Sequence, residues 1–217
     1  MGKSAIILGA TGLTGSHLLD SLLKDNTYDK IIVFTRRSTE INHPRVEEHI
    51  IDLFQLENYI SRFKADVVFC CIGTTKAKTP DKNIYKKIDY GIPVMAAKLA
   101  KKNQIPCFIV ISALGANAKS KVFYNRLKGK MQEDVLKQKL ENTYILQPSL
   151  IIGNRNENRA GENFAKHIMN IFNFIIPKKY KSIKAQTIAY AMQKIADHGY
   201  KKTIIPSDEI QKLGNKD

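Results

Sequence analysis

The sequence predicts an α/β protein, a doubly wound parallel sheet with helices on both faces. Three observations lead there. From Ser4 to Gln147, short apolar runs alternate with stretches of helical periodicity. The runs are almost continuously apolar, as strands buried on both faces must be. The first run ends in a cluster of glycines that opens a helical pattern.

The elements follow in order. Ser4–Leu8 is read as strand one, Leu13–Lys24 as a helix and Lys30–Thr35 as strand two. Val46–Asp52 is strand three and Gln55–Phe63 a short helix. Ala65–Cys71 is strand four, followed by a long helix, Asn83–Lys102, that carries an internal Gly91-Ile92-Pro93. Cys107–Ser112 is strand five, Val122–Lys139 an amphipathic helix and Thr143–Gln147 strand six. After Pro148 the pattern loosens. Asn154–Glu162 is polar, Glu162–Phe174 and Gln186–His198 have helical spacing, and Thr203–Ile205 offers a late strand. No linker or repeat divides these pieces. The expectation is one domain over residues 1–217, with substrate-side elaboration from about 149 onward.

Composition narrows the class. Of 217 residues, 43% are apolar and 25% charged, which excludes a disordered tail. No apolar run approaches the ~18 residues of a membrane helix. Lys plus Arg exceeds Asp plus Glu by 35 − 20, a net charge of +15. The basic residues are scattered in short pairs such as Lys86-Lys87 and Lys178-Lys179. A nucleic-acid binder clusters its charge on one face, so neither nucleic acid nor a membrane is expected as a partner. Three cysteines, two of them adjacent at Cys70-Cys71, argue for a reducing compartment and against a disulfide scaffold. No His/Cys set has zinc-ligand spacing, so no metal site is expected. The first strand begins at Ser4, leaving no room for a targeting segment, and Ile6 spoils the myristoylation pattern of Met1-Gly2. The location read from this is cytoplasmic.

The glycine cluster is Gly9-Ala10-Thr11-Gly12-Leu13-Thr14-Gly15. One glycine permits the sharp strand-to-helix turn, a second lets backbone amides approach a pyrophosphate, and a third lets helix and sheet pack closely. The helix N-terminus then faces the phosphates. The spacing departs from G-x-G-x-x-G, but the strand–turn–helix context is that of a dinucleotide site. Such a Rossmann-type sheet has strand order 3-2-1-4-5-6, with room here for a seventh strand. At the end of strand two, an acid selects the free ribose 2′-hydroxyl of NAD and an Arg the 2′-phosphate of NADP. The sequence reads Thr35-Arg36-Arg37-Ser38, with no acid, so NADP(H) is preferred over NAD(H). Asp52, with Leu53 beside it, closes strand three where a carboxylate reaches the adenine amino group.

Strand five ends at Ser112, and Tyr124 and Lys128 follow on the next helix. Residues i and i+4 share a helix face about 6 Å apart along the axis. An adjacent ammonium favours phenolate, so the Tyr124 hydroxyl is expected to fall from about 10 toward neutrality. Such a tyrosine exchanges a proton with a carbonyl or alcohol oxygen, and Ser112 hydrogen-bonds the same oxygen. The spacing alone is unspecific, because Tyr180/Lys184 and Tyr190/Lys194 share it. Position singles out Tyr124/Lys128, since ligands bind at strand C-termini in such sheets.

Together these residues resemble the short-chain dehydrogenase/reductase superfamily in its atypical branch, nearest the Tat-interacting-protein-like NAD(P)-binding oxidoreductases. The matching stretches are Gly9–Gly15, Cys71-Ile72-Gly73-Thr74-Thr75, Ile111–Ala116, Phe123–Lys130 and Gln147-Pro148-Ser149-Leu150, with Arg155–Glu162 resembling that branch's polar loop. The resemblance implies a Ser112, Tyr124 and Lys128 triad. It also implies phosphate contacts from Thr11, Leu13 and Thr14, and a nicotinamide-ribose lining from Gly73 and Thr74 next to Cys71. Lys128 would share that ribose site, and Pro148 and Leu150 would flank the nicotinamide. Two positions depart from the pattern. Ala113 stands where a second Ser is frequent, and Gln147 where Arg is common. The function expected is an NADP(H)-dependent oxidoreductase acting on a small carbonyl or alcohol. The alternative is an NADP(H)-binding regulatory or protein-interaction module, with Asn154–Glu162 as its partner surface. The helices Tyr85–Leu99 and Val122–Leu140 are candidates for a homodimer contact.

Overall fold

The computed structural model describes residues 2–153, 177 and 180–215. The Asn154–Glu162 loop and the Glu162–Phe174 helix expected from the sequence lie outside the described residues.

The chain alternates strand and helix as expected: β1 (Lys3–Leu8), α1 (Leu13–Lys24), β2 (Tyr28–Thr35), β3 (Val46–Ile50), then a 3-10 helix (Leu53–Arg62) and β4 (Val67–Cys70). Helix α2 (Lys82–Lys86) runs through a π turn (Lys87–Gly91) into α3 (Ile92–Lys102). Then come β5 (Cys107–Ile111), α4 (Phe123–Leu136), β6 (Asn142–Gln147), β7 (Ile151–Ile152), β8 (Ile183–Lys184), α5 (Ala185–His198), β9 (Ile204–Pro206) and α6 (Ser207–Gly214). The main sheet has seven strands in the order β3-β2-β1-β4-β5-β6-β9, every pair parallel. The late strand is therefore the seventh member of the sheet. The short β7–β8 ladder and helix α6 are not legible in the periodicity.

Each central strand feeds two cores. Ala5, Ile7, Val33, Phe69 and Ile109 pack with Leu18, Leu22, Ile188 and Met192 on one face. Ile6, Leu8, Ile32, Phe34, Val68 and Val110 pack with Leu56, Ala96, Ala97 and Met131 on the other. Successive side chains of a strand point to opposite faces, so burial on both sides makes the run continuously apolar.

Two elements have forms that the periodicity does not specify. The segment after β3 is the expected short helix, of the 3-10 type, with Gln55 and Tyr59 outside helical geometry. The long helix is interrupted because Pro93 has no amide hydrogen for the Asp89 carbonyl. The backbone widens there instead, and the Ile92 N–H donates to the Lys87 carbonyl five residues back.

Candidate functional site

The order of the sheet reverses at β1, which is flanked by β2 and β4. The crevice beyond the C-terminal ends of strands at such a point is where ligands bind in open α/β sheets. Here it receives the Gly9–Gly15 turn and the Cys71–Thr75 loop. Gly9 has φ +88°, and a Cβ there would lie 2.9 Å from the Cys71 carbonyl oxygen. A Cβ on Gly15 would lie 2.1 Å from the Gly9 carbonyl oxygen, so the first turn of α1 rests directly on the exit of β1. Gly12 begins α1 with no side-chain cap, and no acid occupies its first turn. The N–H groups at the start of a helix have no intrahelical partner and attract anions. Thr11 is exposed, Gly12 and Leu13 half-buried, and Thr14 and Gly15 buried beneath them. The turn fits a pyrophosphate.

Arg36 and Arg37 follow β2 and are exposed. Arg37 lines a cavity of about 330 Å³ with Ala10, Thr11 and Ser38, whose wall also includes Asp20 and Glu40. Thr35 Oγ1 donates to the Arg37 carbonyl at 2.7 Å and fixes this corner. The Asp52 carboxylate accepts the Phe54 N–H at 2.9 Å and caps the 3-10 helix. Leu53 is buried against the sheet.

On the other side of the crevice, Cys71 keeps its thiol toward Met192, 3.9 Å away, and presents backbone to the glycine turn. Burial pushes that thiol well above the usual thiol range. Gly73 is exposed. Thr74 donates its N–H to Asp89 at 2.8 Å and accepts from the Tyr85 hydroxyl at 3.1 Å. Pro148 is buried, and its carbonyl accepts the Leu114 N–H at 2.9 Å. Leu150 is exposed beyond it.

Ser112 and Lys128 are both buried. Lys128 Nζ lies 3.1 Å from an Asp89 oxygen and donates to the Ile111 carbonyl at 3.4 Å, one residue before Ser112. Ser112 Oγ accepts from Gln132 Nε2 at 2.6 Å, and Gln132 Oε1 accepts from Gln147 Nε2 at 3.2 Å. An amide nitrogen only donates, so this relay leaves the Ser112 hydrogen free to point at a ligand. Tyr124 is 36% exposed. Its ring meets that of Tyr85 edge-on at 6.4 Å, and no hydrogen bond joins it to Lys128. The expected fall in its proton affinity is not found. Burial first, and then the Asp89 carboxylate, push the Tyr124 hydroxyl up to about 12. The ammonium meant to lower it is paired with Asp89 instead.

Local packing brings α4 to this position. A Cβ on Gly129 would lie 2.1 Å from the Ala118 amide nitrogen, so only glycine lets the helix touch the preceding loop. Arg126 clamps that loop by donating to the Ser120 and Lys121 carbonyls at 2.7 and 3.0 Å.

Asp89 and Gln132 are not singled out by the sequence patterns above. Each carries a signal all the same: a polar residue on a helical apolar face. Asp89 stands four residues after buried Tyr85 and three before buried Ile92, and Gln132 stands four after Lys128. Gln147 stands out in the sequence only as a departure from the usual Arg.

A parallel sheet with an uncapped, glycine-built helix N-terminus at its switch point is the framework of an NAD(P)-binding, oxidoreductase-like protein. The chain belongs to the NAD(P)H-binding family, whose model matches residues 9–151. It is similar to Protein FMP52, mitochondrial, of Candida albicans, with 30% identity over 98% of this chain and 98% of that one. It is similar to Protein HTATIP2 of Rattus norvegicus, with 32% identity over 76% of this chain and 69% of that one. Among solved structures, MoeE5 in complex with UDP-glucose and NAD shares the fold at TM-score 0.70 and 13% identity, over 97% of this chain and 80% of that one. The resemblance to atypical short-chain dehydrogenases/reductases therefore stands. The cytoplasmic expectation does not: the Candida albicans relative is named mitochondrial, as are FMP52 relatives from two further organisms.

Proposed function

We propose that the protein is an NADP(H)-dependent oxidoreductase that interconverts a small carbonyl compound and its alcohol at Ser112, Tyr124 and Lys128. The observation carrying this reading is the convergence of Ser112, Lys128 and the Thr74 loop at the sheet edge shared with the glycine turn. The glycine turn and the Thr74 loop would hold NADPH, which would supply a hydride to the carbonyl compound. The Ser112 hydroxyl, oriented by Gln132, donates to the carbonyl oxygen. Tyr124, held protonated, gives its proton to that oxygen and completes the alcohol. Arg36 and Arg37 meet the 2′-phosphate at the mouth of the Arg37 cavity.

A second reading, an NADP(H)-responsive interaction module, draws on one observation. Tyr124 is partly exposed and not engaged with Lys128. Thermal-shift titration with NADPH against NADH tests the cofactor. Stabilisation of about 2.7 kcal/mol is expected at a hundredfold excess over Kd, with NADPH the stronger ligand. A larger NADH shift removes the Arg36/Arg37 assignment, and no shift with either removes both readings.

A further inference from the structure

The reaction above assigns Asp89 no role, yet its surroundings are those of a built site. It sits on the π turn and is 1% exposed. One oxygen faces Lys128 Nζ at 3.1 Å and the other accepts the Thr74 N–H at 2.8 Å. Lys128 is 2% exposed. Two ions so deeply buried persist only when each is closely paired. Among the described residues no second carboxylate pairs with Lys128. Among the described residues, the Cys70 thiol and the Tyr85 and Tyr124 hydroxyls feel the Asp89 charge.

We propose that Asp89 is a positioning residue: its carboxylate ties Lys128 to the Gly73–Thr74 loop and so sets how much of the ammonium's charge reaches Tyr124. This rests on the reading of Tyr124 and Lys128 as parts of the reacting site. Between Asp89 and the Ile111 carbonyl, the ammonium has a fixed place that requires no bond to Tyr124. At Tyr124 the Asp89 carboxylate more than offsets the ammonium, and the phenol keeps its proton for delivery to a carbonyl oxygen. The second carboxylate oxygen extends the same control to the loop next to the nicotinamide ribose. One carboxylate thus couples the reacting lysine to the cofactor loop.

The test is an alkaline titration of near-ultraviolet tyrosinate absorbance, clean here because the chain has no Trp. Each protein is paired with its Tyr124→Phe counterpart, so that the difference isolates Tyr124. Asp89→Asn keeps an acceptor for the Thr74 N–H and removes the charge. It is expected to lower the Tyr124 midpoint by about one unit or more, the scale of a nearby cation left unneutralised. Asp89→Glu, which restores the charge, is expected to stay within about half a unit of the natural protein. An unchanged midpoint in Asp89→Asn overturns the proposal. So does an equal fall with both substitutions, since lost packing would then be the cause. If Asp89→Asn does not fold, the charge-free double variant Asp89→Asn/Lys128→Met replaces it, because no buried ion is left unpaired. Its Tyr124 midpoint is expected below that of the natural protein, and equality overturns the proposal. NADPH binding by the natural protein is read separately. Its absence defeats the cofactor reading and leaves the titration result for Asp89 in force.

Discussion

The two sides of the crevice are built from different materials. The glycine turn after β1 is almost all backbone: a positive φ at Gly9, a helix start at Gly12 and a close contact at Gly15. The edge beyond β5 is almost all side chain: Asp89, Ser112, Lys128, Gln132 and Gln147, brought from four separate stretches of chain. A backbone site tolerates no added atom. A side-chain site tolerates atoms but not unmatched charge. The difference shows where each side is vulnerable, and the substitutions below separate the two.

The largest effect is expected on the side-chain side. Lys128→Met leaves the Asp89 carboxylate buried with only the Thr74 N–H for company. Breaking a buried pair by removing one partner typically costs about 3–5 kcal/mol. Denaturant unfolding should show a loss of that size. A loss below about 1 kcal/mol would mean that water reaches Asp89 and that the pair is not the closed unit described.

These materials also explain what the sequence makes legible. The succession of strands and helices, the glycine turn and the position of Tyr124/Lys128 follow from local patterns: apolar periodicity, glycine spacing and the boundary of a helix. Partnership between distant residues has no local pattern. Spacing assigns Lys128 to Tyr124 four residues away, whereas in the fold it serves Asp89 on another helix. Position assigns Asp52 to a ligand and does not reveal that one of its oxygens caps the turn that follows it. The charge of +15 misleads in the same way. Arg45 donates to the Leu23 carbonyl and, at 2.8 and 2.7 Å, to those of Asp25 and Tyr28, closing the end of α1. Lys101 donates to the Lys139 carbonyl at 2.9 Å. Such cations bind the chain's own carbonyls, and composition does not distinguish them from solvated ones.

On the backbone side the expected effect is intermediate and sharply local. A methyl group on Gly15 meets the Gly9 carbonyl oxygen at 2.1 Å, and neither backbone can retreat without moving α1 off β1. Gly15→Ala should cost about 1–3 kcal/mol, the usual range for overpacking, and should abolish the NADPH-induced thermal shift. Gly73→Ala is the control on the same crevice. Its Cβ would sit 3.5 Å from Asp89 Oδ1, an ordinary contact, so stability should change by less than about 0.5 kcal/mol. Equal losses at the two glycines would show that the turn is not specially tight.

The smallest structural effect belongs to Tyr124. Its hydroxyl makes no hydrogen bond to Lys128 and the residue is 36% exposed, so little holds the fold through that oxygen. Tyr124→Phe keeps the edge-on contact with Tyr85 and removes only the proton donor. Stability should change by less than about 0.5 kcal/mol and NADPH should still stabilise the protein. With a carbonyl substrate in hand, turnover should fall by about 10²–10⁴, the range for losing a positioned acid. Lys128→Met and Tyr124→Phe therefore dissociate two quantities that a conventional Tyr–Lys partnership would couple. The first should unfold the protein more readily, and the second should leave it folded and inert. A Tyr124→Phe protein that reduces the substrate normally would take the reaction away from this edge, while leaving the cofactor turn and the Asp89–Lys128 pair intact.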